Sequence, residues 1–370
     1  MRILLDATSG ARPEKSGVGR YVHELIAAIS RIAGDHSLCL GVRWSRFRAR
    51  RFLPNRQDGR PQDFRLICEG LDWLRSHPFD IAHGLDARPI RIRGPRMLVT
   101  IHDIFSLEFE DLAGPRFRSK KLRRYREIAD HADRVICVSE ATRHRFVAAF
   151  PDAASRAVVI PLGVSSDFAP CDDAGVRRVL AHHQIVRPYF LHIGLLNSRK
   201  NLPTLLLAFD QVARRHDEVE LVLAGRKSHG FEDIARTLQG LEHRARVRLL
   251  DFVPSGQLSA LYTGAVALVF PTRAEGFGLP VLEALACGAP VIATDLEVIR
   301  EVAGTHFSPV TASDSLAFAA AMEDALGRPS TEGERAARVE WASRFTWDRA
   351  ASRTLEEYRT CLGTALTARS

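Results

Sequence analysis

Cysteine is sparse in this sequence, and the patterns that would give it a structural task are missing. The six residues (Cys39, Cys68, Cys137, Cys171, Cys287, Cys361) are scattered over 370 positions, with no C-x-x-C pair and no histidine at zinc-finger spacing. Neither a disulfide framework nor a structural metal site is signalled, and a reducing compartment fits. No apolar run reaches the roughly 18 residues of a membrane span. The amino terminus MRILLDATSG lacks the basic region, apolar stretch and small-residue cleavage site of a secretion signal. A cytoplasmic protein that does not cross a membrane is the expectation. A nicotinamide enzyme or other dinucleotide binder would want G-x-G-x-x-G directly after its first strand, and SGARPEKSGVGRY does not offer that spacing. There is no low-complexity tract and no sequence repeat.

What is present belongs to a folded protein of two domains. Hydrophobic residues make up 46% and charged residues 26% of the chain, the composition of a globular protein with enough length for two cores. The net charge is +8, and its excess is concentrated in the first half, in RWSRFRARRF (43–52), RPIRIRGPR (88–96) and RFRSKKLRRYR (116–126). Arginines interleaved with aromatics suit an anionic membrane surface, a phosphorylated lipid or RNA, and equally a solvated basic face with its aliphatic stems packed down. No nucleic-acid module accompanies the charge, so nucleic acid is not an expected partner.

Strand-like and helix-like stretches alternate almost throughout. RILLDAT (2–8), MLVTIHD (97–103) and RVICVS (134–139) read as strands of the first half, and GRYVHELIAAISRIA (19–33) has apolar residues at helical spacing. Ser139 is placed to cap the helix that begins EATRHRFVAAF. After a polar stretch over 164–186 the pattern restarts with YFLHIG (189–194), VELVLAG (219–225), VRLLDFV (247–253), VALVFPT (266–272) and PVIAT (290–294). Such alternation predicts an α/β protein of two doubly wound parallel-sheet domains, 1–170 and 171–350. A terminal helix, 351–370, has no strand partner and is free to return to the N-terminal domain.

One stretch concentrates the chemistry. In VALVFPTRAEGFGLPVLEALACG a buried strand leads through a glycine loop into a helix opened by Pro280 and stopped at Gly288. Gly276 and Gly278 let a ligand approach the helix start, where unpaired N–H groups and the positive dipole end favour a phosphate. Glu283 then suits neutral donors such as the vicinal hydroxyls of a ribose, or merely complements the dipole. Glu275 suits sugar hydroxyls and a carbon that turns cationic in a transition state, or is a plain surface carboxylate.

EGFGLPVLE resembles the E-x7-E element of nucleotide-sugar-dependent retaining glycosyltransferases of family 4, and PTRAEGFGLPVLEALACGAPVIAT matches over its whole length. SGVGRY, TIHD, VIPLGV (159–164) and LHIGLLNSRKNLPTLLLAF extend the resemblance over nearly the entire chain. It implies a GT-B fold, two Rossmann-like domains facing across a cleft, with acceptor on the N-terminal side and nucleotide sugar on the C-terminal side. By the same resemblance Glu275 contacts the donor hexose and Glu283 the ribose, while Gly276, Phe277, Gly278 and Leu279 form the donor loop. Lys200 and its neighbour Arg199 face the diphosphate. Gly17 and Gly19 approach the diphosphate or the acceptor, and His102 touches the donor sugar near the reacting carbon. Phe252 and Val253 stand where relatives hold the base, a core role being the alternative for either. Many relatives carry an arginine directly after the glycine of this strand. Here Gly194 is followed by Leu195 and Leu196, which makes Arg199 the candidate substitute.

The implied activity is transfer of a mannose- or glucose-type hexose from a nucleoside diphosphate sugar (GDP, UDP or dTDP) to a saccharide or lipid-linked hydroxyl acceptor, in bacterial polysaccharide or lipid-linked glycan synthesis. No cofactor or metal is expected, and no D-x-D triplet occurs. The implied location is cytoplasmic, with a peripheral place at the inner face of the membrane. A non-hydrolysing sugar-nucleotide epimerase shares the architecture and is the nearest rival. A glycoside hydrolase would use two carboxylates but has no need of Lys200.

Overall fold

The computed structural model describes residues 1–14, 16–56, 62–68, 78–112, 114–186 and 188–367. The chain divides into two compact units, Met1–Gly163 together with Phe345–Ser370, and Val164–Arg344.

In the first unit the described strands are β1 (Arg2–Asp6), β2 (Ser37–Arg43), β3 (Asp63–Ile67), β4 (Ile81–Gly84), β5 (Arg96–Ile101), β6 (Arg134–Cys137) and β7 (Ala157–Val159). They lie in the order β3-β2-β1-β4-β5-β6-β7, and every pairing is parallel. Leu4, Leu5, Leu98, Val99 and Val135 are fully buried, as strands covered on both faces require. The helices are α1 (Gly17–Ile32), α2 (Phe105–Glu108), α3 (Pro115–His131) and α4 (Glu140–Ala149). Val22, Leu25, Ile26 and Ile29 form the buried stripe of α1. Ser139 caps α4 by accepting the Thr142 N–H at 3.0 Å.

The second unit contains β8 (Tyr189–Ile193), β9 (Glu220–Ala224), β10 (Val247–Leu250), β11 (Ala267–Phe270), β12 (Val291–Thr294) and β13 (Ser308–Val310), in the order β10-β9-β8-β11-β12-β13 and again all parallel. Its helices are α5 (Asp173–His182), α6 (Leu202–Arg215), α7 (Phe231–Gln239), α8 (Ser255–Gly264), α9 (Leu279–Ala286), α10 (Glu297–Ala303), α11 (Ser315–Gly327) and α12 (Glu332–Ala342). The last helix, α13 (Trp347–Thr367), belongs to the first unit. It packs on α1, and the Tyr358 hydroxyl lies 2.7 Å from His83 Nδ1 in β4.

In each sheet the strand order reverses once, between β1 and β4 and between β8 and β11. Loops leaving the carboxyl ends of such a pair diverge to opposite faces and leave a crevice for ligands. Several strands end earlier than their apolar runs suggest. β10 stops at Leu250 and β11 at Phe270, which puts Phe252, Val253 and Thr272 in loops. Helix α9 begins at Leu279, so Pro280 is its second residue and Glu283 its fifth.

The three basic segments have different fates. Residues Trp44–Phe52 form a 3-10 helix with Trp44 78% exposed, and α3 exposes Phe117 and Leu122. Arg43 is buried against Asp6 at 3.0 Å, Arg91 grips Glu127 with two N–H groups at 2.5 and 2.6 Å, and Arg96 reaches Asp133 at 2.8 Å. Among the described residues no helix is long and apolar enough to cross a membrane.

Candidate active site

The stretch GLLNSRKN turns sharply because its residues allow it. Gly194, at the end of β8, has φ +152, and Asn201 adopts the left-handed conformation that asparagine tolerates. Between them the Asn197 side chain accepts the Lys200 N–H at 3.3 Å and closes a 3-10 turn over Ser198–Lys200. Lys200 is thereby folded back against the sheet. Its side chain is only 6% exposed, and its Nζ stands 4.3 Å from the ring centroid of Phe270, the last residue of β11.

From β11 the chain passes through Pro271 and Thr272 to Glu275. Arg199 Nη1 lies 2.7 Å from Glu275 Oε1 and also donates to the Ala274 carbonyl at 2.5 Å. Lys200 Nζ donates to the same carboxylate oxygen. The Thr272 hydroxyl stands 3.3 Å from it. The Arg273 N–H donates to the Arg199 carbonyl at 2.9 Å and ties the two loops together. Two cations and one carboxylate thus converge beyond the carboxyl ends of the neighbouring strands β8 and β11.

Their titration is set by burial against pairing. For Glu275, burial pushes the pKa upward, but Arg199 and then Lys200 outweigh it and hold the carboxyl at about 2. For Lys200, burial comes first and Arg199 adds to it, so the ammonium is lowered to about 8 although Glu275 resists. The asymmetry follows from the count of charges: the carboxylate faces two cations, the lysine one carboxylate and one cation.

The glycine loop follows directly. Gly278 has φ +96, and a Cβ there would stand 3.0 Å from Ile299 Cδ1. Gly276, Phe277 and Leu279 are buried. Glu283 is only 3% exposed, and its Oε2 accepts the Tyr262 hydroxyl at 2.9 Å. It is therefore an oriented, buried carboxylate of the second helical turn. Phe252 is half exposed in the loop after β10, 5.8 Å beneath the Arg226 guanidinium, and Val253 is buried. Leu195, directly after Gly194, is 44% exposed. Arg199 is the cation that stands beside Lys200.

Gly17, Gly19 and His102 lie in the other unit. Ser16 caps α1 by accepting the Gly19 N–H at 3.2 Å, leaving Gly17 exposed and Gly19 buried. His102 follows β5 directly and donates from Nε2 to the Leu85 carbonyl at 2.9 Å, with the Tyr21 ring edge-on at 4.6 Å. Burial lowers its pKa, with Asp86 opposing. It lines a pocket of about 140 Å³ with Asp86, Asp103, Lys121 and Tyr125. Sequence reasoning had not singled out Thr272, Tyr262 or Asp86. Thr272 carries the only readable signal, a hydroxyl just past a strand end.

The family described as "Glycosyl transferases group 1" matches residues 183–341, and "Glycosyltransferase Family 4" matches residues 15–168. The O-antigen chain mannosyltransferase B of Escherichia coli is 30% identical over 295 residues, 77% of this chain and 76% of that protein. The fold is shared with a sucrose-phosphate synthase of Thermosynechococcus elongatus, with a TM-score of 0.76 at 21% identity over 98% of this chain and 100% of that one. It is shared also with Anabaena HepE in complex with UDP-glucose, with a TM-score of 0.72 at 19% identity over 97% and 100%. With both family matches, a relative of this identity over three quarters of each chain, and two parallel-sheet units, the chain belongs to glycosyltransferase family 4, a transferase of GT-B fold.

Proposed function

We propose that the chain transfers a mannose- or glucose-type hexose from a nucleoside diphosphate sugar to a hydroxyl acceptor with retention of configuration, without a resident metal. The observation that carries this reading is the Arg199–Lys200–Glu275 cluster at the reversal of the second sheet. In the unliganded protein each cation is held by Glu275. A diphosphate brings oxygens that compete for both, and its arrival frees the carboxylate for the hexose hydroxyls. As the bond from C1 to the diphosphate oxygen breaks, negative charge gathers on the leaving group. Lys200, Arg199 and the start of α9 stabilise that charge. The acceptor oxygen bonds to C1 on the same face, and its proton passes to the departing phosphate. Products are the glycoside and the nucleoside diphosphate.

Glu283, oriented by Tyr262, takes the ribose hydroxyls in this reading, and Phe252 with Val253 receives the base. Gly17, Gly19 and His102 serve the sugar or acceptor. The mannosyltransferase relative supports a mannose donor, and the HepE complex supports a nucleotide sugar. Family membership disfavours the epimerase and hydrolase alternatives. A thermal-shift series with GDP-, UDP- and dTDP-linked sugars identifies the donor, since a ligand at a hundred times its Kd adds about 2.7 kcal/mol. The matching donor is then given saccharide and lipid-linked acceptors, and the product anomer is read by NMR. An inverted product removes the retaining mechanism. Donor epimerisation without transfer removes the reading altogether.

The acceptor side carries the second part of the proposal. Exposed Trp44 and Phe117 among arginines fit a peripheral place on an anionic membrane that bears the acceptor, in polysaccharide or lipid-linked glycan synthesis. Sedimentation with phosphatidylglycerol vesicles is expected at low salt. No binding there excludes it.

A further inference from the structure

His192 is a fully buried histidine inside β8. Its Nδ1 lies 3.0 Å from the Val269 carbonyl, an acceptor only, so the ring proton sits on Nδ1. Nε2 is then a lone pair, buried and without a hydrogen-bond partner in the structure. A buried acceptor left unsatisfied is costly and calls for an explanation. Its ring lies nearly parallel to Phe270, and that same Phe270 carries the Lys200 ammonium. A Cβ built on Gly194 would stand 3.7 Å from His192 Nε2, 3.7 Å from Lys200 Nζ and 3.2 Å from Lys200 Cε. Both nitrogens therefore lie within 3.7 Å of one point beside Gly194, which any side chain at that position would occupy.

We propose that His192 is a positioning residue for Lys200, offering Nε2 as the acceptor that holds one ammonium hydrogen when Glu275 turns to the donor sugar. The proposal rests on the function assigned above. Lys200 has three N–H bonds to place. With Glu275 withdrawn, the diphosphate takes one or two of them, and a fixed acceptor on the sheet side prevents the ammonium from following the ligand out. The Phe270 face adds a second restraint from β11. A charged imidazole would repel Lys200, but burial, and after it Lys200 itself, lowers the pKa of His192 to about 3, so the ring stays neutral. Facing Lys200 are therefore Glu275 and Arg199 from the loops, neutral His192 from β8, and the Phe270 ring from β11.

The chain contains five lysines (Lys15, Lys120, Lys121, Lys200, Lys227), so Lys200 is resolvable by NMR of lysine labelled at Cε. Its signal is assigned by its loss in Lys200→Met. With GDP or UDP bound, whichever binds, the Lys200 titration midpoint is expected to fall by half a pH unit or more in His192→Phe, which keeps the stack on Phe270 and removes the lone pair. His192→Gln, which restores an acceptor, brings it back. The basic limb of the kcat profile, which reports the substrate-bound enzyme, moves in the same direction. A His192→Phe chain that only melts earlier, with the midpoint unmoved, overturns the proposal in favour of a packing role.

The wild-type chain gives a second reading that needs no variant. On addition of GDP or UDP, whichever binds, the ¹⁵N resonance of His192 Nε2 is expected to shift as it gains a donor. A resonance that stays in place while the Lys200 signal moves overturns the proposal. If neither nucleotide binds, the functional reading fails and this proposal falls with it; if one binds and neither the His192 resonance nor the Lys200 midpoint in His192→Phe responds, this proposal alone fails.

Discussion

Replacing Lys200 by methionine should separate catalysis from stability, because the same burial that makes this ammonium useful makes it costly. Its pKa falls from the ordinary 10.5 to about 8 in the folded chain, which corresponds to about 3 kcal/mol of cost for holding it charged at pH 7. Methionine has a similar stem, removes that cost and keeps a favourable contact with Phe270. That cost already includes the attraction of Glu275 for the ammonium; against the gain stands only the hydrogen bond that a neutral amine would keep to this carboxylate, which Arg199 and Thr272 still hold. A hydrogen bond to a charged group is worth about 1.5–3 kcal/mol. The two effects nearly cancel, leaving a net change within about 2 kcal/mol. At about 2–4 °C per kcal/mol for a chain unit of this size, Tm stays within about 8 °C of the parent. Turnover, by contrast, loses a donor to the leaving diphosphate and falls by about 10²- to 10³-fold.

The pH dependence gives that reasoning a sign. Between pH 8 and 10.5 the unfolded chain holds the Lys200 proton and the folded chain has released it. Parent stability from this group therefore rises with pH over that window, and the methionine variant lacks the rise. Calorimetric melts at pH 7 and pH 10, with initial rates from the same preparations, measure both quantities. A Tm drop beyond about 10 °C, or turnover within tenfold of the parent, refutes the balance drawn here.

Glu275→Gln should behave in the opposite way, since it leaves Arg199 and Lys200 facing a neutral amide, and a loss of about 3–5 kcal/mol is expected in urea melts. The parent carboxyl is held at about 2 against an ordinary 4.5. Its contribution is complete above pH 4.5 and is lost as the pH falls toward 2, so the variant's stability should be flatter across that window; parallel curves count against the pairing. Gly225→Ala tests the backbone that shapes the β8 edge. Gly225 has φ +151, and a Cβ there would come within 1.8 Å of the Gly194 carbonyl oxygen. A loss of at least about 2 kcal/mol in urea titration is expected from this clash and strain, and a change below about 0.5 kcal/mol shows the loop to be pliant.

Much of this protein was legible in one dimension because its local rules agree with its fold. Buried parallel strands read as short apolar runs, α1 shows its stripe, Ser139 stands at a cap, and the E-x7-E stretch with SRKN marks the two loops whose charges meet at Glu275. Strands such as Ser37–Arg43 and Ser308–Val310 were less legible, for they carry polar residues or span only three positions. Apolar residues past a strand end, such as Phe252 and Val253, made β10 look longer than its hydrogen bonds allow. Local sequence thus determined which stretches become strands and helices, to within a few residues at their ends, since propensity, capping and turn chemistry act over a few neighbours. The tertiary structure alone decided that Arg199 and Lys200 share one oxygen of Glu275, 75 residues beyond Lys200, and that the unpartnered Nε2 of His192 and the Lys200 ammonium both stand beside Gly194. Strand order brings β8 beside β11 across that span, and burial, which no window of sequence displays, sets the charges against each other.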